Sequence, residues 1–165
     1  VKDLPARVPR RGKEMTDQIV RLPAFAVLGF TARTSNEQEM SGAGHIAQLW
    51  QRYMETGGAV IPGVTDPSLT FSIYTNYESD HTGAYDVILG KPVGTLESAP
   101  KSLRGIAIPA AEYLVFPVEN PGPDGIRTAW MKVYEYFSGQ EPRPRAFTAD
   151  FERYSNDGVQ LYIAV

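Results

Sequence analysis

Leu22-Pro-Ala-Phe-Ala-Val-Leu-Gly-Phe30 returns later in the chain as Ile108-Pro-Ala-Ala-Glu-Tyr-Leu-Val-Phe116, at an offset of 86 residues. Working outward, Ile46-x-x-x-Trp50 matches Ile126-x-x-x-Trp130 at an offset of 80. At the same offset, Phe71-Ser-Ile-Tyr74-Thr-Asn76 matches Phe151-Glu-Arg-Tyr154-Ser-Asn156. A single match of this kind arises easily by chance. Three in the same order mark a duplicated unit.

Each unit reads strand, helix, strand, strand. The first strand, expected over 20–33, is rich in β-branched and aromatic residues, and its mate is expected over 103–118. In 41–56, Ile46, Leu49, Trp50 and Tyr53 fall at i, i+3, i+4 and i+7, which is one apolar stripe of a helix. Ser41 is its expected N-cap and Gly57-Gly58 its stop. In 125–138, Ile126, Trp130, Val133, Tyr134 and Phe137 repeat the stripe, and Gly139 ends it. Paired strands follow in each half, 69–78 with 84–90 and 146–155 with 159–165. Asp80-His-Thr-Gly83 and Asn156-Asp-Gly158 are the hairpin turns. The expected fold is α+β: one antiparallel or mixed sheet with two helices on one face. It forms a single domain over 18–165, with modules at 18–92 and 102–165, a linker at 90–101, and a pseudo-twofold cleft between the modules.

Composition narrows the function. The chain has 165 residues, 42% hydrophobic and 21% charged, enough for a real core without staples. With Cys 0 and His 2, thiol nucleophiles, disulfides, cysteine zinc sites and three-histidine centres are excluded. No cofactor or metal is expected. No apolar run approaches a membrane span and no signal sequence opens the chain, so a cytoplasmic protein with no membrane partner is expected. Residues 1–14 carry five basic side chains (Lys2, Arg7, Arg10, Arg11, Lys13) against Asp3 and Glu14, whereas the remainder holds 11 basic and 17 acidic. An acidic body argues against direct nucleic-acid binding and for cationic partners. The basic arm, 1–17, reads as upstream sequence before a natural start at Met15, and its extended, proline-containing chain is expected to dock on acidic surface.

The central strands carry the chemistry. Alternation places Ser72 and Tyr74 on one face, with Glu152 and Tyr154 on the equivalent face of the second half. A hydroxyl in one half thus matches a carboxylate in the other. A buried carboxylate ringed by aromatics suits a delocalised organic cation, which it neutralises while the rings contribute stacking and cation–π attraction. The plainer alternative is a solvent-facing Glu152 beside Arg153. Trp50 and Trp130 stand at matching helical positions and read first as core anchors. His45 reads as packing or capping, His81 as a solvated turn residue, and Gly42-x-Gly44 is too short for a phosphate loop.

Several of these segments together resemble the gyrase-inhibitor-like effector-binding domain family. They are Ile108-Pro-Ala-Ala-Glu-Tyr113-Leu-Val-Phe116, the helix bearing Trp130 and Tyr134, Asp150-Phe-Glu152-Arg-Tyr154, and the terminal Leu-Tyr-Ile strand. That family is found attached to multidrug regulators and also alone. Tyr85-Asp-Val-Ile-Leu-Gly90 is similar to the close of the family's first half, and Ala111 departs from it where glycine is frequent. The chain looks like a stand-alone member, similar to the cationic-drug-binding proteins encoded in integron cassettes. The resemblance implies a pocket glutamate at Glu152 and aromatic walls at Tyr74, Tyr85, Tyr113 and Trp130. Ser72, Tyr154 and Trp50 complete the expected lining.

The leading function is therefore a binding module for hydrophobic, cationic small molecules. The first alternative is a hydrolase of strained electrophiles, with Glu152 as general base and a tyrosine, Tyr113, as proton donor. The second is a protein-interaction role, as a topoisomerase inhibitor, a homodimer or an effector subunit of a DNA-binding regulator.

Overall fold

The computed structural model describes residues 19–56, 58–139 and 143–165. The expected docking of the basic arm falls outside these residues. Strands β1 (Ile19–Leu22) and β2 (Phe25–Ser35) lead into helices α1 (Asn36–Ser41) and α2 (Ile46–Thr56). Strands β3 (Thr70–Thr75), β4 (Ala84–Val93), β5 (Arg104–Ile108) and β6 (Ala111–Pro117) come next. Helix α3 (Pro123–Phe137) and strands β7 (Ala149–Ser155) and β8 (Gly158–Ala164) complete the order. The eight strands among the described residues form one sheet, β1-β6-β8-β7-β3-β4-β2-β5, and every pairing is antiparallel.

The repeated Pro-Ala decides the shape. The single strands expected over 20–33 and 103–118 are each two strands, broken at Pro23-Ala24 and at Pro109-Ala110. Proline brings no N–H to a ladder, so each strand stops there. Leu22 then pairs with Ala111, and Phe25 with Ile108. The first short strand of each half thus joins the other half. β1 lies at one end of the sheet and β2 next to the other end, yet only two residues connect them. Three Cα–Cα steps reach at most ~11 Å, so the sheet must curl until its ends approach. The β5–β6 connection imposes the same condition from the opposite end.

The inside of the curl is apolar. Leu22, Val27, Phe71, Ile73, Tyr113 and Phe151 are buried together there. Phe25 meets Phe71 and Phe151 at ring-centroid distances of 5.4 and 5.5 Å, and Phe151 stacks on Tyr162 at 4.7 Å. The curl also requires the cross-strand pair Gly29–Gly90. A Cβ on Gly90 would stand 2.1 Å from the Leu28 carbonyl oxygen, and one on Gly29 equally close to that of Leu89. Two backbones pass where no side chain fits.

The other face carries the helices. Cross-strand partners share a face, so Phe30, Leu89, Ser72, Glu152, Leu161 and Phe116 run across it in one line. Leu49 and Tyr53 of α2 cover the first half of that line, and Ala129 and Val133 of α3 the second. Two helices on one face of an α+β antiparallel sheet is the expected layering. The helix expected over 41–56 is α2 and starts only at Ile46, while a separate short helix that the sequence reading did not expect, α1, precedes it. Gly42 takes a left-handed conformation (φ 83°) that ends α1, and Ser41 Oγ bonds back to the Gln38 carbonyl rather than capping α2. Glu39 provides the cap of α2 instead. Its Oε1 accepts from the backbone N–H of His45 at 2.7 Å and of Ile46 at 3.4 Å. β4 runs to Val93, so the first residues of the expected linker are strand.

The repeat and the sheet meet at one point. In the β3–β7 ladder Ser72 pairs directly with Glu152, and these two are also equivalent in the repeat. The pseudo-twofold axis therefore passes between them.

Candidate functional site

Glu152 sits beside that axis at the centre of the sheet and is 2% exposed. Its Oε1 accepts hydrogen bonds from the Tyr74 hydroxyl at 2.7 Å and from Trp130 Nε1 at 2.8 Å. Its Oε2 accepts from the Tyr154 hydroxyl at 2.5 Å. Burial pushes the Glu152 carboxyl above its ordinary value, and the Trp130, Tyr154 and Tyr74 donors pull part of that shift back. Among the described residues no cation forms an ion pair with it.

Pseudo-symmetry builds the surroundings. Tyr74 and Tyr154 are repeat equivalents, as are Trp50 and Trp130. Trp130 meets Tyr74 edge-on at 5.1 Å, and Trp50 meets Tyr154 edge-on at 4.9 Å. Each tyrosine thus reaches the shared carboxylate with a helix tryptophan behind it. Ser72, the axial partner of Glu152, is fully buried. Its hydroxyl has no hydrogen-bond partner among the described residues. Burial, followed by the adjacent Glu152 charge, pushes the Tyr74 and Tyr154 hydroxyls far up, so both remain protonated donors at neutral pH.

The first half extends the cluster. Tyr85 stands 5.7 Å from Tyr74 and 5.8 Å from Tyr77. The Tyr85 hydroxyl donates to Asn36 Oδ1 at 2.9 Å, and Asn36 Nδ2 donates to the Tyr134 hydroxyl at 3.0 Å. One amide therefore ties the start of α1 to α3. Asp150, fully buried two residues before Glu152, accepts on Oδ2 from Tyr77 at 2.6 Å and from Arg145 Nη2 at 2.7 Å.

The structure brings Glu152, Ser72, Tyr74, Tyr85, Trp50, Trp130 and Tyr154 together. It does not bring Tyr113 to them. Tyr113 lies on the inner face of the curl, 5.2 Å from Phe151 and 6.2 Å from Tyr162. The sheet therefore separates it from Glu152, and the pair proposed for hydrolysis shares no space. Burial raises its hydroxyl to about 12, as expected of a core tyrosine. A second difference concerns anchors and walls: Tyr74 and Tyr85 are 8% and 4% exposed, whereas Trp130 is only half-buried. The tyrosines are core as well as wall. Sequence reasoning missed Tyr77, Asn36, Arg145 and the role of Asp150. For Asp150 the signal was present, since it stands two residues from Glu152 on the same strand face. His45 is exposed, with its backbone N–H on Glu39, and His81 is exposed with its ring 5.5 Å from Tyr134.

A separate shallow cleft of about 180 Å³ lies at the β6–α3 turn, lined by Glu119, Asn120, Asp124 and Lys132 among others. It shares no residue with the Glu152 cluster and contains no buried charge, so the convergent chemistry is at the axis. Among the described residues no group of acidic or histidine side chains is placed to hold a metal. No helix among them is long and apolar enough to cross a membrane.

Comparison with known proteins agrees with this architecture. An integron cassette protein from the mobile metagenome of Vibrio cholerae is 32% identical, with a TM-score of 0.74 over 90% of this chain and 94% of that one. SAV2435, solved bound to tetraphenylphosphonium, is 18% identical, with a TM-score of 0.72 over 90% of this chain and 92% of its own. A bacterial transcription regulation protein from Staphylococcus aureus MU50 is 16% identical, with a TM-score of 0.70 over 90% and 96%. The latter two share the fold. A search of curated proteins gives no match. Residues 18–165 match the family described as integron-associated effector binding protein, and the chain belongs to that family.

Proposed function

We propose that this protein binds lipophilic organic cations at the pseudo-twofold axis, with Glu152 as the counter-charge and Tyr74, Tyr85, Trp130, Trp50 and Tyr154 as walls. The observation that carries the reading is a buried carboxylate that, among the described residues, is held only by neutral donors. Such a group is costly to keep ionised in isolation, and a bound cation relieves that cost. The rings add about 0.5–2 kcal/mol of cation–π attraction each where they face the charge. A soft, delocalised cation suits the site because it gives up little hydration on entry. The bound tetraphenylphosphonium of SAV2435 is a ligand of this kind on the same fold. Access runs between α2 and α3, where Trp50, Trp130 and Tyr154 are the half-buried members of the cluster. A ligand reaching Oε2 replaces the Tyr154 hydroxyl as its partner.

The test compares N-methylacridinium with acridine, measured at pH 8 where acridine is uncharged. Glu152→Gln keeps the shape and removes the charge. Affinity for the cation is expected to fall about 30-fold or more, since removing the partner of a desolvated charge costs about 2–5 kcal/mol. Affinity for acridine is expected to stay within about threefold. Equal losses for the two would mean that Glu152 acts through packing and would overturn the reading.

A further inference from the structure

Two buried carboxylates lie side by side in this site, and among the described residues only Asp150 has a cation of its own. Asp150 and Glu152 share a face of β7, two residues and so ~7 Å apart along the strand, at 0% and 2% exposure. Asp150 Oδ2 accepts from Arg145 Nη2 at 2.7 Å and Nε at 3.2 Å, and its Oδ1 accepts from the Ala164 N–H at 2.8 Å. The Arg145 side chain is 5% exposed. Its guanidinium lies 4.5 Å from the Phe147 ring centroid, 5.5 Å from that of Tyr77 and 5.7 Å from that of Trp130. The Trp130 indole therefore serves both charges: its face lies under Arg145 and its N–H points to Glu152. An aromatic cage of the kind a cationic ligand needs already holds one cation, tethered to the chain.

We propose that Arg145 determines the charge class of the ligand. By neutralising Asp150 it leaves one uncompensated carboxylate in the cage, so the site takes monocations and rejects dications of the same body. The inference rests on the reading of Glu152 as counter-charge. A single positive charge on Glu152 completes neutrality. A second one in the same dry cage finds no anion and is repelled by the fixed guanidinium, whose field is strong where water is excluded. Rejection through an unmatched charge is a common source of specificity.

Ethidium and propidium test this, because propidium carries the same planar cation with an added quaternary ammonium arm. The wild-type protein is expected to bind ethidium at least about tenfold more tightly than propidium. Arg145→Gln frees Asp150 and is expected to move the propidium-to-ethidium affinity ratio up at least about tenfold. Asp150→Asn leaves Arg145 uncompensated and is expected to weaken both dyes about tenfold or more with Glu152 intact. The double variant Arg145→Gln/Asp150→Asn removes both charges and is expected to restore the wild-type ratio and the ethidium affinity. If Arg145→Gln alone does not fold, the loss in Asp150→Asn and its recovery in the double variant carry the same information.

An unchanged ratio in Arg145→Gln, or wild-type ethidium binding in Asp150→Asn, overturns the proposal while leaving the Glu152 reading intact. Ethidium binding that is indifferent to Glu152→Gln overturns both.

Discussion

Trp130→Phe isolates one hydrogen bond at the site. The phenyl ring keeps an aromatic neighbour for Tyr74, whose ring centroid lies 5.1 Å from that of Trp130, and removes the Nε1 donor that lies 2.8 Å from Glu152 Oε1. A hydrogen bond to a charged group contributes about 1.5–3 kcal/mol, and the smaller ring gives up roughly another 1 kcal/mol of packing. The variant should therefore lose about 3 kcal/mol at pH 8, or about 6–12 °C in Tm for a chain of this size. The pH dependence comes from the sign of the Glu152 shift. Burial raises the folded-state pKa above its unfolded value, and the lost donor raises it further. The penalty for burying the ionised form is then fully present above the folded pKa and disappears as pH falls through it towards the ordinary carboxylate range. The gap between wild type and variant should accordingly narrow as pH is lowered from 8 towards 4.5. Urea unfolding followed by far-ultraviolet circular dichroism measures it at both ends. The same comparison in a Glu152→Gln background should be independent of pH. A gap that stays constant with Glu152 present would refute the argument, because it would make Trp130 a packing residue only.

Two further outcomes rest on the same geometry. Affinity for N-methylacridinium should fall as pH is lowered from 8 through the raised Glu152 pKa, and that fall should begin above the usual carboxylate range. Isothermal titration across pH 8–5 checks this, and a flat profile would contradict it. Gly90→Ala should cost on the order of 3 kcal/mol or more, because its Cβ meets backbone on the facing strand rather than a side chain that can turn away. A variant melting within 2 °C of wild type would show that the curl has slack there.

The candidate site was more legible in the sequence than the sheet that holds it. Strand alternation is set by covalent geometry, so once the repeat paired Ser72 with Glu152, Tyr74 and Tyr154 followed onto the same face. Helix periodicity placed Trp50 and Trp130 at equivalent positions, and the structure sets each behind one tyrosine of that pair. Tyr113 shows where such reasoning ends. Its own strand alternates as plainly as any other, but which side of β6 meets the helices depends on its register with β8, where Tyr113 faces Ala164. Helix α3 and β7 separate β6 from β8 in the chain, so no hairpin turn pins that register.

The repeat, the alternation and the apolar stripes come from the chain itself, because each depends on residues within a few positions of one another. The Pro-Ala breaks were equally visible, but their consequence was not. Whether a proline bends a strand or sends its continuation to the opposite end of a sheet depends on what the next residues find to pair with, and here β1 finds β6 and β5 finds β2. The same holds for Arg145, which reaches the site from the segment before β7. Sequence proximity to Asp150 does not reveal that its guanidinium lies over Trp130, fifteen residues back on a helix. Pairing across the curl and the neutralisation of Asp150 by Arg145 are non-local choices. Packing settles them by comparing whole arrangements, and burial makes the comparison decisive because an unpaired N–H or an unmatched charge costs far more inside the protein than in water.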